Sequence, residues 1–239
     1  WSNGQVVNVV PKVFPEKPTS YIMIGDENES GEFEAPETGW YQIVAVGAGG
    51  KGGYGFLSPN NYHAPGGGGG SPGIAVKTDI KLNKGEKIPY TINGNVSVSD
   101  EQHSIHITAT QGGNGGNATD GPGYPANPGH SGTKGTASGG DININGNMGG
   151  YGGNAPGGVT QNDYGINAYG GEGGHYYYDG TSHMSSPTSG NQAFIRFYRG
   201  NTNLPLDQLN AQNITGLMLE MSQLAQEQTS MLINADVSH

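Results

Sequence analysis

The chain has 239 residues, 45 of them glycine, and a formal net charge of −10 from 10 basic and 20 acidic residues. That glycine share is far above the ordinary ~7%, and the acidic balance removes the basic face that nucleic-acid binding requires. Cysteine is absent, which excludes disulfides and thiolate metal sites, and no apolar stretch reaches the length of a transmembrane helix.

In chain order, residues 1–38 read as a lead-in or attachment segment. Val6–Val10 and Tyr21–Ile24 have the composition of short strands, punctuated by Pro11, Pro15 and Pro18, and the acidic run Asp26–Glu37 reads as a solvated loop. The N-terminus lacks the charged-then-apolar layout of a signal peptide. A secreted domain of such low apolar content usually carries disulfides. Their absence fits a protein folded in the cytosol and carried outward on a particle.

Residues 39–200 read as one glycine-rich domain. Trp40–Val46 is an alternating strand, with Tyr41, Ile43 and Ala45 on one face and Trp40, Gln42, Val44 and Val46 on the other. It runs straight into the first of several glycine tracts, in which glycine recurs every third residue, as at 49, 52, 55 and at 129, 132, 135. Three residues per turn is the period of a polyproline-II-type helix, so the tracts are predicted to be polyglycine-II helices packed as a bundle. A β block follows at Ile74–Ile80, Lys87–Ile92, Val96–Val98 and Ile105–Thr110, with turns at Asn83-Lys-Gly85 and Asn93-Gly94. Asp141–Asn145 is a further short strand, and Gln192–Tyr198 closes the domain as the natural partner of residues 40–46.

From 201 to 239 the composition changes. Ile214, Leu217, Met218, Met221, Leu224, Met231 and Leu232 follow helical 3–4 spacing, which predicts an amphipathic α-helix packed on its own chain or paired in a short coiled coil. The predicted fold class is therefore mainly β plus polyglycine-II helices: a glycine-rich sandwich or bundle with short strands and a C-terminal amphipathic α-helix.

The run Gly39-Trp-Tyr-Gln-Ile-Val-Ala-Val-Gly-Ala-Gly-Gly50 resembles the opening of glycine-rich domains in phage and prophage tail-fibre proteins. The Gly-Gly-x-Gly-Gly elements at 49–53, 112–116, 149–153 and 170–174 are similar to the tripeptide motifs of the fibre-tip adhesins of T-even-like phages. The resemblance covers residues 39 to about 199. It implies a sandwich of polyglycine-II helices whose connecting loops touch a bacterial surface receptor. The β block at 74–110 and the helical tail depart from that family's pattern.

If each tract crosses the bundle once, loops 54–65, 117–128 and 159–169 share one end, and the β segments 74–110 and 141–145 share the other. The loop 175–190 is not placed by this count. These loops set tyrosine beside asparagine or aspartate, a chemistry that gives large contact area with adaptable hydrogen bonds and suits sugars as well as protein surfaces. The predicted receptor-binding residues are Tyr54, Phe56, Asn61, Tyr62, His63, Tyr124, Asn127, Asp163, Tyr164, Tyr169, Tyr176, Tyr177, Tyr178 and Asp179. The alternative is that the tyrosines merely cap the bundle.

No catalytic residue, metal or cofactor is predicted. His103 and His106, three apart on an expected strand, would point to opposite faces. The expectation is a non-enzymatic adhesin of a virion or phage-tail-like particle, partnered by a bacterial receptor and by a tail-fibre or baseplate protein. A homotrimer through the C-terminal helix is a further expectation. The rivals are a structural trimeric shaft or tip protein, an ice-binding protein, and a surface-polysaccharide hydrolase.

Overall fold

The computed structural model describes residues 21–24, 29–58, 62–120, 127–151, 155–161 and 166–199. Within them the strands are β1 (Tyr21–Ile24), β2 (Ser30–Glu34), β3 (Gly39–Val46), β4 (Phe56–Leu57), β5 (His63–Ala64), β6 (Ile74–Leu82), β7 (Lys87–Asn93), β8 (Asn95–Asp100), β9 (Ile105–Ala109), β10 (Ala137–Ser138), β11 (Ile142–Ile144), β12 (Tyr176–Tyr178), β13 (Ser182–Met184) and β14 (Phe194–Arg199). Two five-stranded antiparallel sheets form, in the orders β1-β14-β3-β6-β11 and β10-β9-β8-β7-β2, with small hairpins β4–β5 and β12–β13 apart from them.

The sheets follow from alternating side chains. On β3, Tyr41, Ile43 and Ala45 join Ile195 and Phe197 of β14 and Ala75, Ile80 and Leu82 of β6 in the larger core. The facing sheet supplies Phe33, Ile88, Tyr90, Ile92, Val96, Val98, Ile105 and Ile107. Val44, Val46, Ile74, Val76, Phe194 and Tyr198 point to the other side of the first sheet, where Ile166 and Ala168 pack on them. β14 pairs with β3, Phe194 opposite Val46 and Phe197 opposite Ile43. The β7–β8 hairpin turns at Gly94, whose φ of +77° an L side chain rarely adopts.

Residues 21–24 and 29–38, read from the sequence as part of a lead-in, contribute a strand to each sheet: β1 pairs with β14, and β2 with β7. The predicted strand at Val6–Val10 lies outside the described residues.

The glycine tracts are joined by backbone hydrogen bonds that recur every third residue. Segment 66–73 is central. It donates from Gly67, Gly70 and Gly73 to Gly116, Gly113 and Thr110, from Gly68 and Ser71 to Gly150 and Asn147, and from Gly66 and Gly69 to Gly174 and Gly171. Its carbonyls accept from Gly53 and Gly50, from Gly132 and Gly135, and from Gly158. Successive residues thus face different neighbours, and at Gly66–Gly70 no direction is left for a side chain. A Cβ built at any of Gly66–Gly70 would come within 3.0 Å of a neighbouring backbone.

The predicted fold class is corrected by this architecture. Among the described residues the protein is all-β, built on antiparallel sheets, and contains no helix. Glycine has no side chain to bury, so the apolar core comes from the strands, and the β block at 74–109 is half of that core rather than an interruption of a bundle. The residues on which the C-terminal amphipathic α-helix was predicted, 201–239, lie outside the described residues.

One polar tie holds the sheet margin. Asp141 accepts from Lys77 Nζ at 2.8 Å, Thr78 N at 2.7 Å and Thr78 Oγ1 at 3.0 Å, fixing the β10–β11 turn to β6. Partial burial pushes the Asp141 pKa up, but the bonds from Lys77 and Thr78 outweigh it and leave the carboxyl below its ordinary value. Its contribution is therefore complete above the ordinary aspartate value and is lost as pH falls through the lowered folded value. Asp141→Asn is expected to cost about 1 kcal/mol at neutral pH, a figure kept small by solvent exposure. The difference from the wild type should shrink toward about pH 3 in urea-unfolding midpoints, as both side chains become neutral.

Candidate functional site

The hydrogen-bond registers fix which loops lie together. Segments 47–53 and 110–116 run antiparallel to 66–73, with Gly53 and Gly116 both bonded to Gly67. Segment 129–135 runs parallel to it, Gly129 bonding to Pro65 and Gly135 to Ser71. Loops 54–65 and 117–128 therefore share one end of the glycine layer, while Gly73, Thr110 and Thr136 lead into the sheets at the other.

The remaining crossings differ from the expected count. Segment 146–150 runs back to the loop end, with Gly150 bonded to Gly68. Segment 155–158 runs in the opposite direction beside it, with Gly150 N donating to Pro156 O and Asn147 Nδ2 to Val159 O. Segment 155–158 is an extra crossing absent from the sequence count. It carries loop 159–169 to the sheet end, where Ile166 and Ala168 cover the outer sheet face. Segment 170–174, short as it is, crosses fully: Gly171 bonds to Gly50 and Gly174 to Gly53. The unplaced loop after Gly174 thus joins the loop end, and 159–169 leaves it.

Two short hairpins shape that end. In β4–β5, Phe56 is partly buried and packs against Ala64 and Ala118. Tyr62 N donates to Ser58 Oγ and Ser58 N to Tyr62 O, closing the loop tip. In β12–β13, Tyr176 pairs with Met184, Tyr177 with His183 and Tyr178 with Ser182. The Tyr176 ring stacks on His63 of β5, with centroids 4.0 Å apart and planes at 15°. Met184 lies over Gly55, where a Cβ would meet its terminal methyl. One face of β12–β13 is therefore fixed on β4–β5. His175 N and Nδ1 both contact Ser185 Oγ, at 2.9 and 3.0 Å, which secures the base of the hairpin.

The opposite face of β12–β13 looks outward. Tyr177 stacks on His183 with centroids 5.1 Å apart, and His183 Nε2 lies 3.0 Å from Asp179 Oδ1. Tyr54 is also exposed, its backbone N bonded to Asn117 Oδ1 and its ring under Lys51 Nζ at 5.2 Å from the centroid. Asn127 is held by a bridge to Thr119 and donates from Nδ2 to Asp120 O.

Of the predicted site residues, Tyr54, Phe56, Tyr62, His63, Asn127, Tyr176, Tyr177, Tyr178 and Asp179 thus occupy one end. Tyr169 does not: it is bridged to Val159 and bonded to Asn191 Oδ1 nearer the sheets. Asn61, Tyr124, Asp163 and Tyr164 lie outside the described residues. Tyr151 was read from the sequence as part of a glycine tract, yet it stands at the loop end and is 64% exposed. Its signal was available in the period of three, which puts Met148 and Tyr151 on the same outward side.

A second polar cluster sits at the sheet end. His103 belongs to the turn before β9 rather than to a strand, which corrects the expected alternation with His106. Its Nδ1 contacts Asp100 Oδ2 and its Nε2 lies 3.3 Å from Glu86 Oε2. Hydrogen bonds from Asn83 N and Nδ2, aided by His103, hold the Glu86 pKa below its ordinary value. Glu86 meets both His103 Nε2 and Gln102 Nε2, so the cluster fastens residues 83–86 to 100–104. Among the described residues no group of three His, Asp or Glu side chains is arranged to hold a metal ion.

No protein-family model matches this chain, and a search of curated proteins finds no relative.

Proposed function

We propose that this protein is a receptor-binding adhesin of a phage or phage-tail-like particle, recognising a bacterial surface receptor through the loop end of its glycine layer. The observation that carries the reading is the convergence of loops 54–65, 117–128 and 175–184 at the end opposite the sheets, with Tyr54, Tyr62, Tyr151, Tyr177 and Tyr178 exposed there. Rigid tyrosines beside asparagine, aspartate and histidine give contact area at low entropic cost, which is the chemistry of a recognition surface. The glycine layer acts as the frame, because its ladders fix where each loop begins and ends. Binding is non-catalytic, and several copies per particle raise its strength through effective concentration. Attachment to a tail-fibre or baseplate partner belongs to another part of the chain.

Adsorption of the labelled protein to a panel of bacterial strains tests this. A Tyr54→Ala/Tyr177→Ala/Tyr178→Ala variant is expected to lose at least about tenfold in apparent affinity, since truncating interface tyrosines typically costs more than about 1 kcal/mol each. Tyr169→Ala and Trp40→Ala, exposed but away from the loop end, should stay within about twofold. Equal losses from both sets, or adsorption untouched by the triple change, would remove the loop end from consideration. A shaft protein without receptor contact would show no strain-dependent adsorption.

A further inference from the structure

The β12–β13 hairpin is asymmetric in a way that a simple end cap does not require. One face is fastened to β4–β5 through the Tyr176–His63 stack and Met184 over Gly55. The other face holds two rings, Tyr177 and His183, stacked at 18° with Tyr177 44% exposed. The fastened face holds the hairpin in place, and the two rings restrict each other by stacking while His183 is also held by Asp179, which lowers the side-chain freedom lost on binding. Beside them Asp179 spends Oδ1 on His183 Nε2, and its side chain is 62% exposed. An ionised carboxylate has about four acceptor sites, so one donor leaves capacity for two hydroxyls. The turn beyond it passes through Gly180, at φ +102°, which keeps the Asp179 edge clear of any side chain from that position.

A flat, exposed aromatic face bordered by an acceptor-rich carboxylate matches a pyranose ring. The ring's C–H face lies on the aromatic surface while its rim hydroxyls reach the carboxylate, in charge-assisted bonds stronger than neutral ones. Charge narrows the class further. Residues 54–65, 117–128 and 174–186 contain no lysine or arginine, and Lys51 lies over the Tyr54 ring. A uronate or a phosphorylated sugar would meet Asp179 with no cation from these loops to offset the repulsion.

We propose that Tyr177, His183 and Asp179 form a subsite for one ring of a neutral glycan. This rests on the reading of the loop end as the receptor-binding surface. The test uses the full chain on an array of bacterial oligosaccharides, neutral hexose and N-acetylhexosamine chains against uronate- and phosphate-bearing ones, followed by titration calorimetry with the best neutral binder. Neutral chains should bind in preference. Tyr177→Ala should weaken binding at least tenfold and Asp179→Asn severalfold, while Tyr177→Phe, which keeps the ring, should stay within twofold. Near-UV circular dichroism of the three variants checks that the hairpin stays packed. Preference for acidic chains, no binding to neutral ones, or binding indifferent to both Tyr177→Ala and Asp179→Asn would overturn the proposal. Cells treated with periodate or with protease separate it from the broader reading. Adsorption that survives periodate and fails after protease overturns the glycan subsite and leaves the adhesin standing. Array binding without adsorption to any strain supports the subsite and overturns the adhesin.

Discussion

Gly69→Ala is expected to cost at least about 3 kcal/mol of folding stability, enough to leave little soluble folded protein. Gly69 sits in the central glycine segment. Its N donates to Gly171 O at 2.8 Å, and its O accepts from Gly158 N at 2.9 Å. A Cβ there would fall within 3.0 Å of both the O and the C of Gly50. Gly50 cannot yield cheaply, because its own O accepts from Gly171 N at 2.7 Å and its N donates to Gly70 O. Relief on one side therefore breaks bonds on another. Gly39→Ala is the matched control: nothing lies within 4 Å of its Cβ position, so the change should stay within about 0.5 kcal/mol. Urea-unfolding midpoints and soluble yield read both. Equal effects from the two substitutions would mean that close backbone packing does not select glycine in this layer.

Phe197→Ala is expected to cost about 4 kcal/mol for a different reason. Phe197 of β14 is fully buried and stacks on Phe33 of β2, with centroids 4.0 Å apart and planes at 13°; Tyr41 meets Phe33 edge-on at 5.7 Å. The two phenylalanines belong to opposite sheets, so their contact closes the sandwich. Truncation removes a buried ring and leaves a cavity between sheets that cannot fully collapse, and it also removes the aromatic pair. The exposed Tyr178→Ala serves as reference, with a change within about 0.5 kcal/mol. A cost below about 1 kcal/mol for Phe197→Ala would show that the sandwich is not the main source of stability. The two core variants should also differ in function. Below its melting temperature the Phe197→Ala protein should keep bacterial adsorption, because the loop end is positioned by the glycine ladders. Any folded Gly69→Ala protein should not, because segments 47–53 and 170–174, which launch two of the binding loops, meet at Gly69.

Much of the strand layout was legible in the chain. The two-residue alternation in 40–46 assigned Tyr41, Ile43 and Ala45 to one face and Val44 and Val46 to the other, and those faces enter separate clusters. The pairing of 192–198 with 40–46 was likewise readable from two apolar runs bounding the glycine region. The turn at Asn93-Gly94 was marked by its own dipeptide. Each of these signals is local, because a strand's periodicity and a turn's φ requirement belong to a few consecutive residues.

The arrangement of the candidate site was less legible. Glycine every third residue announces close backbone contact but carries no side chain to say which segment meets which, or in which direction. The crossing at 155–158 leaves no signal stronger than its neighbours, and without it loop 159–169 is counted to the wrong end, while the shortness of 170–174 leaves loop 175–190 unplaced. No spacing rule announces that Phe56 packs on Ala64 and Ala118, or that Tyr151, inside a glycine tract, is exposed. The His103 tie joins turns 83–86 and 100–104 through side chains that no spacing rule connects. Alone, then, the sequence determined the longer core strands at 40–46, 74–80, 87–92, 105–109 and 192–198, the turn at Asn93-Gly94 and that glycine must pack against backbone, but not β2 or the short hairpins β4–β5 and β12–β13. Only the tertiary structure decided which tyrosines share a surface, because that depends on the register of backbone hydrogen bonds between distant segments that look alike in composition.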